Sequence, residues 1–105
     1  MTLEFDISKI EGFDWDKGNL EHTKKHKVTY IECEEVFSNI PFLVNEDKLH
    51  SRREERFQAL GQTNYGKSLF IAFTIRKNKI RVISARDQNR NERIKYMGQE
   101  VKINK

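Results

Sequence analysis

Ser68-Leu69-Phe70-Ile71-Ala72-Phe73-Thr74-Ile75-Arg76, then Lys77-Asn78, then Lys79-Ile80-Arg81-Val82-Ile83-Ser84-Ala85, is the stretch that decides the fold class. The first segment is rich in β-branched and aromatic residues and reads as a central strand. The two-residue connection suits a tight hairpin, so the second segment returns antiparallel beside it. Upstream, residues 53–63 contain a strand centred on Arg56-Phe57-Gln58-Ala59-Leu60, joined to the hairpin by the turn Asn64-Tyr65-Gly66-Lys67. Phe42-Leu43-Val44 is a short strand, and 45–49 a charged loop.

Helical signals flank this sheet. Asp16 is placed to cap a helix over 17–26, whose last turn gathers Lys24, Lys25 and His26, where the helix dipole favours cations. Thr29 and Glu32 form a capping box, with Val28 and Cys33 as its hydrophobic staple. Cys33, Val36, Phe37 and Ile40 recur at i, i+3, i+4 and i+7, one helical face, and Pro41 ends that helix. Asn89 and Glu92 form a second capping box, opening a helix over 90–98. Residues 1–12 read as an N-terminal extension with a strand at 3–7, Phe13-Asp14-Trp15 as a strand end, and 97–105 as a polar tail. The order is two helices, an antiparallel meander of about three to five strands, and a C-terminal helix, an α+β pattern in one domain spanning 1–105.

The chain has 105 residues, 36% of them apolar and 34% charged, with the apolar ones concentrated in blocks, which separates it from disordered sequences. Net charge is +4, but residues 1–60 hold 9 basic and 13 acidic side chains, whereas 61–105 hold 11 and 3. That asymmetry points the C-terminal half at an anion. The single cysteine, Cys33, forms no intramolecular disulfide and fits a reducing cytosol. Residues 1–9 carry Asp6 and Glu4 and lack a long apolar run, so no secretory signal is expected, and the longest apolar stretch is too short for a bilayer. A cytoplasmic protein with no membrane partner is the expectation.

Between Arg76 and Lys95 lie eight basic residues (Arg76, Lys77, Lys79, Arg81, Arg86, Arg90, Arg93 and Lys95) and two acidic ones, Asp87 and Glu92. Guanidinium groups on rigid elements suit a phosphate backbone, because each binds two phosphate oxygens at once. Any one of these arginines could equally belong to a solvated, salt-bridged face; the cluster as a whole favours a polyanion.

Phe13-Asp14-Trp15-Asp16, Lys25-His26, His50-Ser51, Glu55-Arg56-Phe57, Ala59-Leu60-Gly61, Phe73-Thr74-Ile75-Arg76, Arg81-Val82-Ile83-Ser84-Ala85-Arg86 and Glu92-Arg93 together resemble the BrnT family, ribonuclease toxins of type II toxin–antitoxin systems. The resemblance runs from about Phe13 to Tyr96. It implies a RelE-like fold and an endoribonuclease that inhibits translation. It also implies a cognate antitoxin that carries a ribbon-helix-helix DNA-binding segment. Where the family pattern has Gly after the Lys-His pair this chain has Lys27, and where it has Asn two positions before the pair this chain has Thr23.

RNA cleavage without metal or cofactor needs a base for the 2′-OH, cations for the charged transition state and an acid for the leaving 5′-oxygen. His26 beside Lys25, Glu55, Arg76 and Arg86 are the candidate catalytic residues. Arg81, Arg90, Arg93, Lys79 and His50 are the candidate RNA-binding residues. His26 could instead simply cap its helix, and Glu55 could be a strand-edge ion pair. Alternation sets Arg81 on the face opposite Val82 and Ser84. His22 and His26 share a helix face, but Lys24 and Lys25 would repel a metal ion. Cys33 sits on the apolar stripe and reads as a structural thiol. Trp15, Phe37, Phe57, Phe70 and Phe73 read as core; Tyr65 and Tyr96 are the better candidates for base stacking. The competing readings are a non-catalytic nucleic-acid-binding or regulatory module and a structural protein whose basic face meets an acidic partner.

Overall fold

The quoted hairpin pairs antiparallel from Arg76 opposite Lys79 to Leu69 opposite Asp87. Lys77 and Asn78 both take positive φ, 52° and 65°, as a two-residue hairpin turn requires. The structure, a computed structural model, describes residues 5–51 and 54–103; the side chains of 99–103 are outside that description. Its elements are β1 (Gly12–Phe13), α1 (Lys17–Lys24), α2 (Tyr30–Ser38), β2 (Leu43–Glu46), β3 (Arg56–Gln62), β4 (Ser68–Arg76), β5 (Lys79–Asp87) and α3 (Arg90–Ile103), with 3-10 turns at Ile7–Lys9 and Lys48–His50. This is the α+β arrangement the sequence predicts.

The sheet order is β1-β5-β4-β3-β2. Strands β2 to β5 form the expected antiparallel meander, but β1 joins the outer edge of β5 in parallel, so the sheet is mixed. A parallel neighbour needs a long connection, and everything from α1 to β4 separates these two strands. Beyond β1, α1 seals the same edge. The Asn19 amide donates to the Val82 carbonyl at 3.0 Å and to the Asp14 carbonyl at 3.0 Å, inside a capping box with Asp16.

One face of the sheet holds the core. Phe57, Ala59, Leu69, Ile71, Phe73, Ile80, Val82 and Ala85 pack against Cys33, Val36 and Phe37 of α2. Helix α2 approaches so closely at Gly61 that an added Cβ would lie 2.7 Å from Val36 Cγ1. Residues 5–12 are more than an extension, since Phe5 and Ile10 pack against this core and the Phe5 ring meets the Phe73 ring at 5.4 Å. On the opposite face, α3 buries Tyr96, whose hydroxyl donates to the Pro41 carbonyl at 2.8 Å.

Several boundaries differ from expectation. The strand expected at 3–7 begins outside the described residues, and its described part is no strand: Asp6 caps the 3-10 turn Ile7–Lys9. The strand region expected over 53–63 likewise begins on residue 53, outside the description, and β3 starts at Arg56. Helix α1 stops at Lys24, two residues early, because Lys27 takes the left-handed conformation with φ of 60°. The capping box of α2 forms as read, but the helix ends at Ser38, so Ile40 is off the apolar face and 89% exposed. Pro41 disfavours helical backbone at Ile40, which moves the exit upstream. The apparent polar tail is helical to Ile103.

Candidate functional site

Register defines the face opposite the core. Arg56 pairs with Thr74 and Thr74 with Arg81; Gln58 pairs with Ala72 and Ala72 with Ser84; Leu60 pairs with Phe70 and Phe70 with Arg86. Directly opposed residues share a face. Core residues Phe57, Ala59, Ile71 and Phe73 alternate with these, so all three rows lie on the second face. Simple alternation along β5 would set Arg81 and Arg86, five apart, on opposite faces. A β-bulge brings them together: Phe73 pairs with Val82 and Ala72 with Ser84, leaving Ile83 without a register partner. The expectation that Arg81 lies opposite Val82 holds, but Ser84 shares its face for this reason.

Helix α3 covers the end of this face that carries Leu60, Phe70 and Arg86. The other half, the open one, carries Arg56, Gln58, Ala72, Arg81 and Ser84, all partly exposed, around the buried Thr74. At the margin of that half, a shallow groove of ≈ 580 Å³ is lined by Phe13, Asp14, Trp15, Arg76, Lys77 and Lys79.

The guanidiniums differ in how far they are committed. Arg81 reaches Asp16 at 2.8 Å and Asp14 at 3.5 Å. Arg76 is held by Glu54 through Nε at 3.2 Å and Nη2 at 3.3 Å. Arg86 makes two parallel bonds to Glu92, at 2.8 and 3.0 Å, and stacks 4.1 Å over the Phe70 ring. Burial alone would raise the Glu92 carboxyl; its bonds from Arg86 and the Asn89 amide outweigh that and hold it below the usual carboxylate range. Arg56, Lys79, Arg90 and Arg93 make no ion pair among the described residues, and the last three are exposed.

His50 lies in the turn before β3, at the border of the open half. Its Nδ1 lies 2.9 Å from Asp47 Oδ2, and its side chain is 59% exposed. The Asp47 backbone amide donates to the Arg56 carbonyl at 2.7 Å, and Ser51 Oγ accepts from the Arg56 amide at 2.9 Å, which ties the Lys48–His50 turn to the start of β3. Burial would raise the Asp47 carboxyl, but hydrogen bonds from His50 and Gln58 lower it overall. Because Gln58 lies on the second face, the Asp47–His50 pair borders that face.

Lys25 and His26 lie elsewhere. They occupy the exposed turn after α1, and His26 faces the His22 ring at 6.3 Å. Lys67 bonds the Lys27 carbonyl at 3.3 Å and lies 3.8 Å from Asp87, so this turn belongs with the far end of β5, beside Arg86. From there to the Arg56–Thr74–Arg81 row the strands run roughly 20 Å, at about 3.3 Å per residue. The expected catalytic set therefore divides between two ends of the sheet. Glu55 precedes β3; its Oε2 is buried with no hydrogen-bond partner among the described residues, while its carbonyl accepts from Thr74 Oγ1 at 2.6 Å.

Tyr96 is no stacking platform: it is 2% exposed beneath α3, whereas Tyr65 is 99% exposed at its turn. Burial pushes the Cys33 thiol up to about 12, as suits a structural residue. Phe70 is set apart from the main core, under Arg86. No group of three or more metal-ligating side chains occurs among the described residues, and no described helix is long and apolar enough to cross a membrane. Asp47 and Arg56 were absent from the sequence-derived list of candidates. Asp47 lies three residues before His50, and Arg56 alternates with the core residues Phe57 and Ala59; both signals were present but indistinct.

Comparison with curated proteins finds no match. Residues 15–92 match a family model described as the ribonuclease toxin, BrnT, of type II toxin–antitoxin systems. That span covers most of the chain, from Trp15 through the sheet to the Arg86–Glu92 pair, and the chain belongs to the BrnT ribonuclease toxin family.

Proposed function

We propose that the protein is an endoribonuclease toxin that cleaves RNA without a metal ion, inhibits translation, and is neutralised by a cognate antitoxin. The observation that carries this reading is the second face of the sheet. The bulge at Ile83 brings Arg81 and Arg86 onto it, Arg81 in the row of Arg56 near Arg76 and Lys79, and Arg86 at the far end across Phe70 from Leu60. RNA lies along this face with its phosphates on Arg56, Arg76, Lys79 and Arg81. Arg86, Arg90 and Arg93, with Lys25 and His26, extend the positive field at the far end.

The reaction is attack of the 2′-oxygen on the adjacent phosphorus. Arginines stabilise the charge that gathers on the phosphoryl oxygens, and a histidine moves the proton. The chain offers His22, His26 and His50 for that step. Glu55 precedes Arg56 in the chain, and its buried carboxyl oxygen, without a hydrogen-bond partner among the described residues, supports a role in the same site.

The antitoxin, built with a ribbon-helix-helix DNA-binding segment, silences the protein by covering the basic surface formed by Arg76, Arg86 and Arg93 and excluding RNA. To reach from Arg76 to Arg86 and Arg93 it must span roughly 20 Å, the length of a helix of about 13 residues. Displacement of a bound, uncleavable RNA on adding antitoxin is the expected result; simultaneous binding refutes occlusion.

Incubating the protein with labelled RNA in EDTA, free and in a translating extract, tests the main reading. Products ending in a 2′,3′-cyclic phosphate or 3′-phosphate are expected. Activity lost in EDTA and restored by Mg²⁺ refutes metal independence. The non-catalytic alternative, a nucleic-acid-binding or regulatory module on the same basic face, is favoured if RNA binds and stays intact under both conditions.

A further inference from the structure

We infer that His50 is the catalytic proton-transfer residue, that Asp47 is its positioning residue, and that Arg56 beside them holds the scissile phosphate. This rests on the ribonuclease reading and narrows it to one end of the sheet.

The geometry separates His50 from the other histidines. Asp47 Oδ2 engages His50 Nδ1 at 2.9 Å. A carboxylate can only accept, so Nδ1 donates, and the lone pair of the neutral ring is left on Nε2. Nε2 has no hydrogen-bond partner among the described residues, and the ring is more than half exposed. An imidazole fixed in one tautomer by a carboxylate, with its other nitrogen open to solvent, is the arrangement a general base needs. Asp47 is well placed to stay ionised, since His50 and Gln58 both bond it. His26, by contrast, faces the His22 ring and has no carboxylate partner among the described residues.

Location supports the same assignment. The Asp47 amide donates to the Arg56 carbonyl and the Arg56 amide donates to Ser51 Oγ, which fixes the His50 turn at the head of β3. Arg56 is the guanidinium on the open half with no ion pair among the described residues, so it binds phosphate without first losing a carboxylate. Arg81 lies across Thr74 in the same row, held by Asp14 and Asp16.

The step balances as follows. His50 Nε2 takes the proton from the 2′-OH, and the 2′-oxygen forms its bond to phosphorus while the bond from phosphorus to the 5′-oxygen breaks. The leaving 5′-oxygen takes a proton from water, and the imidazolium returns its own proton to the resulting hydroxide. The products are a 2′,3′-cyclic phosphate and a 5′-hydroxyl, with no oxidant or co-reactant consumed.

The test compares wild type, His50→Gln and Asp47→Asn as full chains, on free RNA and in a translating extract. Affinity for a 2′-O-methyl RNA is measured in parallel, and ¹⁵N NMR reports the His50 tautomer. His50→Gln is expected to lower kcat by about 10²–10⁴-fold, the range for loss of a general base, with analogue affinity unchanged. Asp47→Asn is expected to lower kcat by roughly tenfold or more and to turn the single Nδ1-protonated tautomer into a mixture. A purely structural role for Asp47 would leave the tautomer unmoved, and that result overturns its assignment. If wild type cleaves and His50→Gln keeps pace with it, the inference on His50 is wrong while the ribonuclease reading stands. If wild type cleaves no RNA in either setting, both fail together.

Discussion

Replacing Glu92 by alanine tests whether Arg86 serves the fold before it serves RNA. The Glu92 carboxylate accepts from Arg86 at 2.8 and 3.0 Å and from the Asn89 amide at 2.9 Å. The last of these is half of the α3 capping box, and losing a cap costs about 1 kcal/mol. The ion pair is bidentate but only partly buried, with side-chain exposures of 39% and 19%, so solvent screening holds its worth to about 0.5–1 kcal/mol. The sum is about 1.5–2 kcal/mol. For a domain of this size each kcal/mol moves Tm by about 4–8 °C, so Glu92→Ala should melt about 6–16 °C lower by circular dichroism. Glu92→Gln retains the cap and loses only the charge, and should fall by about half as much.

The pH dependence follows from the sign of the shift. Glu92 titrates lower when folded than its ordinary value of 4.5. Its contribution is therefore fully present above that ordinary value and is lost as pH falls through the lower folded one. The Tm gap between wild type and Glu92→Gln should be flat from about pH 7 down to the ordinary carboxyl value of 4.5 and narrow as pH falls below it. An Arg86→Ala, Glu92→Ala double-mutant cycle should show coupling of about 0.5–1 kcal/mol. A Glu92→Ala protein that melts within 2 °C of wild type would refute the anchoring role. So would an Arg86→Ala protein with unchanged Tm and a tenfold loss of RNA affinity; the pair would then have to open when RNA binds.

Gly61→Ala should destabilise by about 1–3 kcal/mol, since its Cβ would lie 2.7 Å from Val36 Cγ1 and 3.2 Å from Phe42 Cβ; urea denaturation reads this directly, and an unchanged midpoint would deny the tight α2–β3 contact. Lys27→Gly should stabilise by about 0.5–1 kcal/mol, because Lys27 holds φ at 60° where glycine is at ease; a loss in Tm would contradict that backbone. Arg56→Ala should weaken single-stranded RNA uniformly across sequences and reduce the salt slope by about 0.7, one phosphate's share; an unchanged slope would remove Arg56 from the interface.

Most of the fold was legible because its signals were local. The apolar run of β4, the two-residue turn at Lys77-Asn78, the capping boxes at Thr29–Glu32 and Asn89–Glu92, and the charge split each depend on neighbours in sequence. What failed depended on tertiary pairing. Nothing near Gly12-Phe13 announces a parallel partner almost seventy residues away. Ile40 fits the helical period of α2 and yet leaves the helix, since the bias set by Pro41 outweighs one more apolar position. Tyr96 reads as a surface aromatic on a polar helix, until α3 folds across Leu60 and Phe70.

The site shows the same limit in sharper form. A strand alternates with a period of two, so any sequence reading sends Arg81 and Arg86 to opposite faces and divides the basic cluster. One unmatched residue, Ile83, reverses that parity and assembles a single basic face. The bulge carries no residue signature, because isoleucine is as much at home in a regular strand. The proton-transfer group we infer was obscured for the opposite reason. Lys25-His26 stands out beside a run of cations, whereas His50 sits in a charged loop and gains its meaning only when Asp47 turns back onto it and both settle against Arg56. A basic cluster in sequence therefore locates the electrostatic field. Strand register and one carboxylate–imidazole contact are what the proposed site adds to that field, and neither can be read from the order of residues.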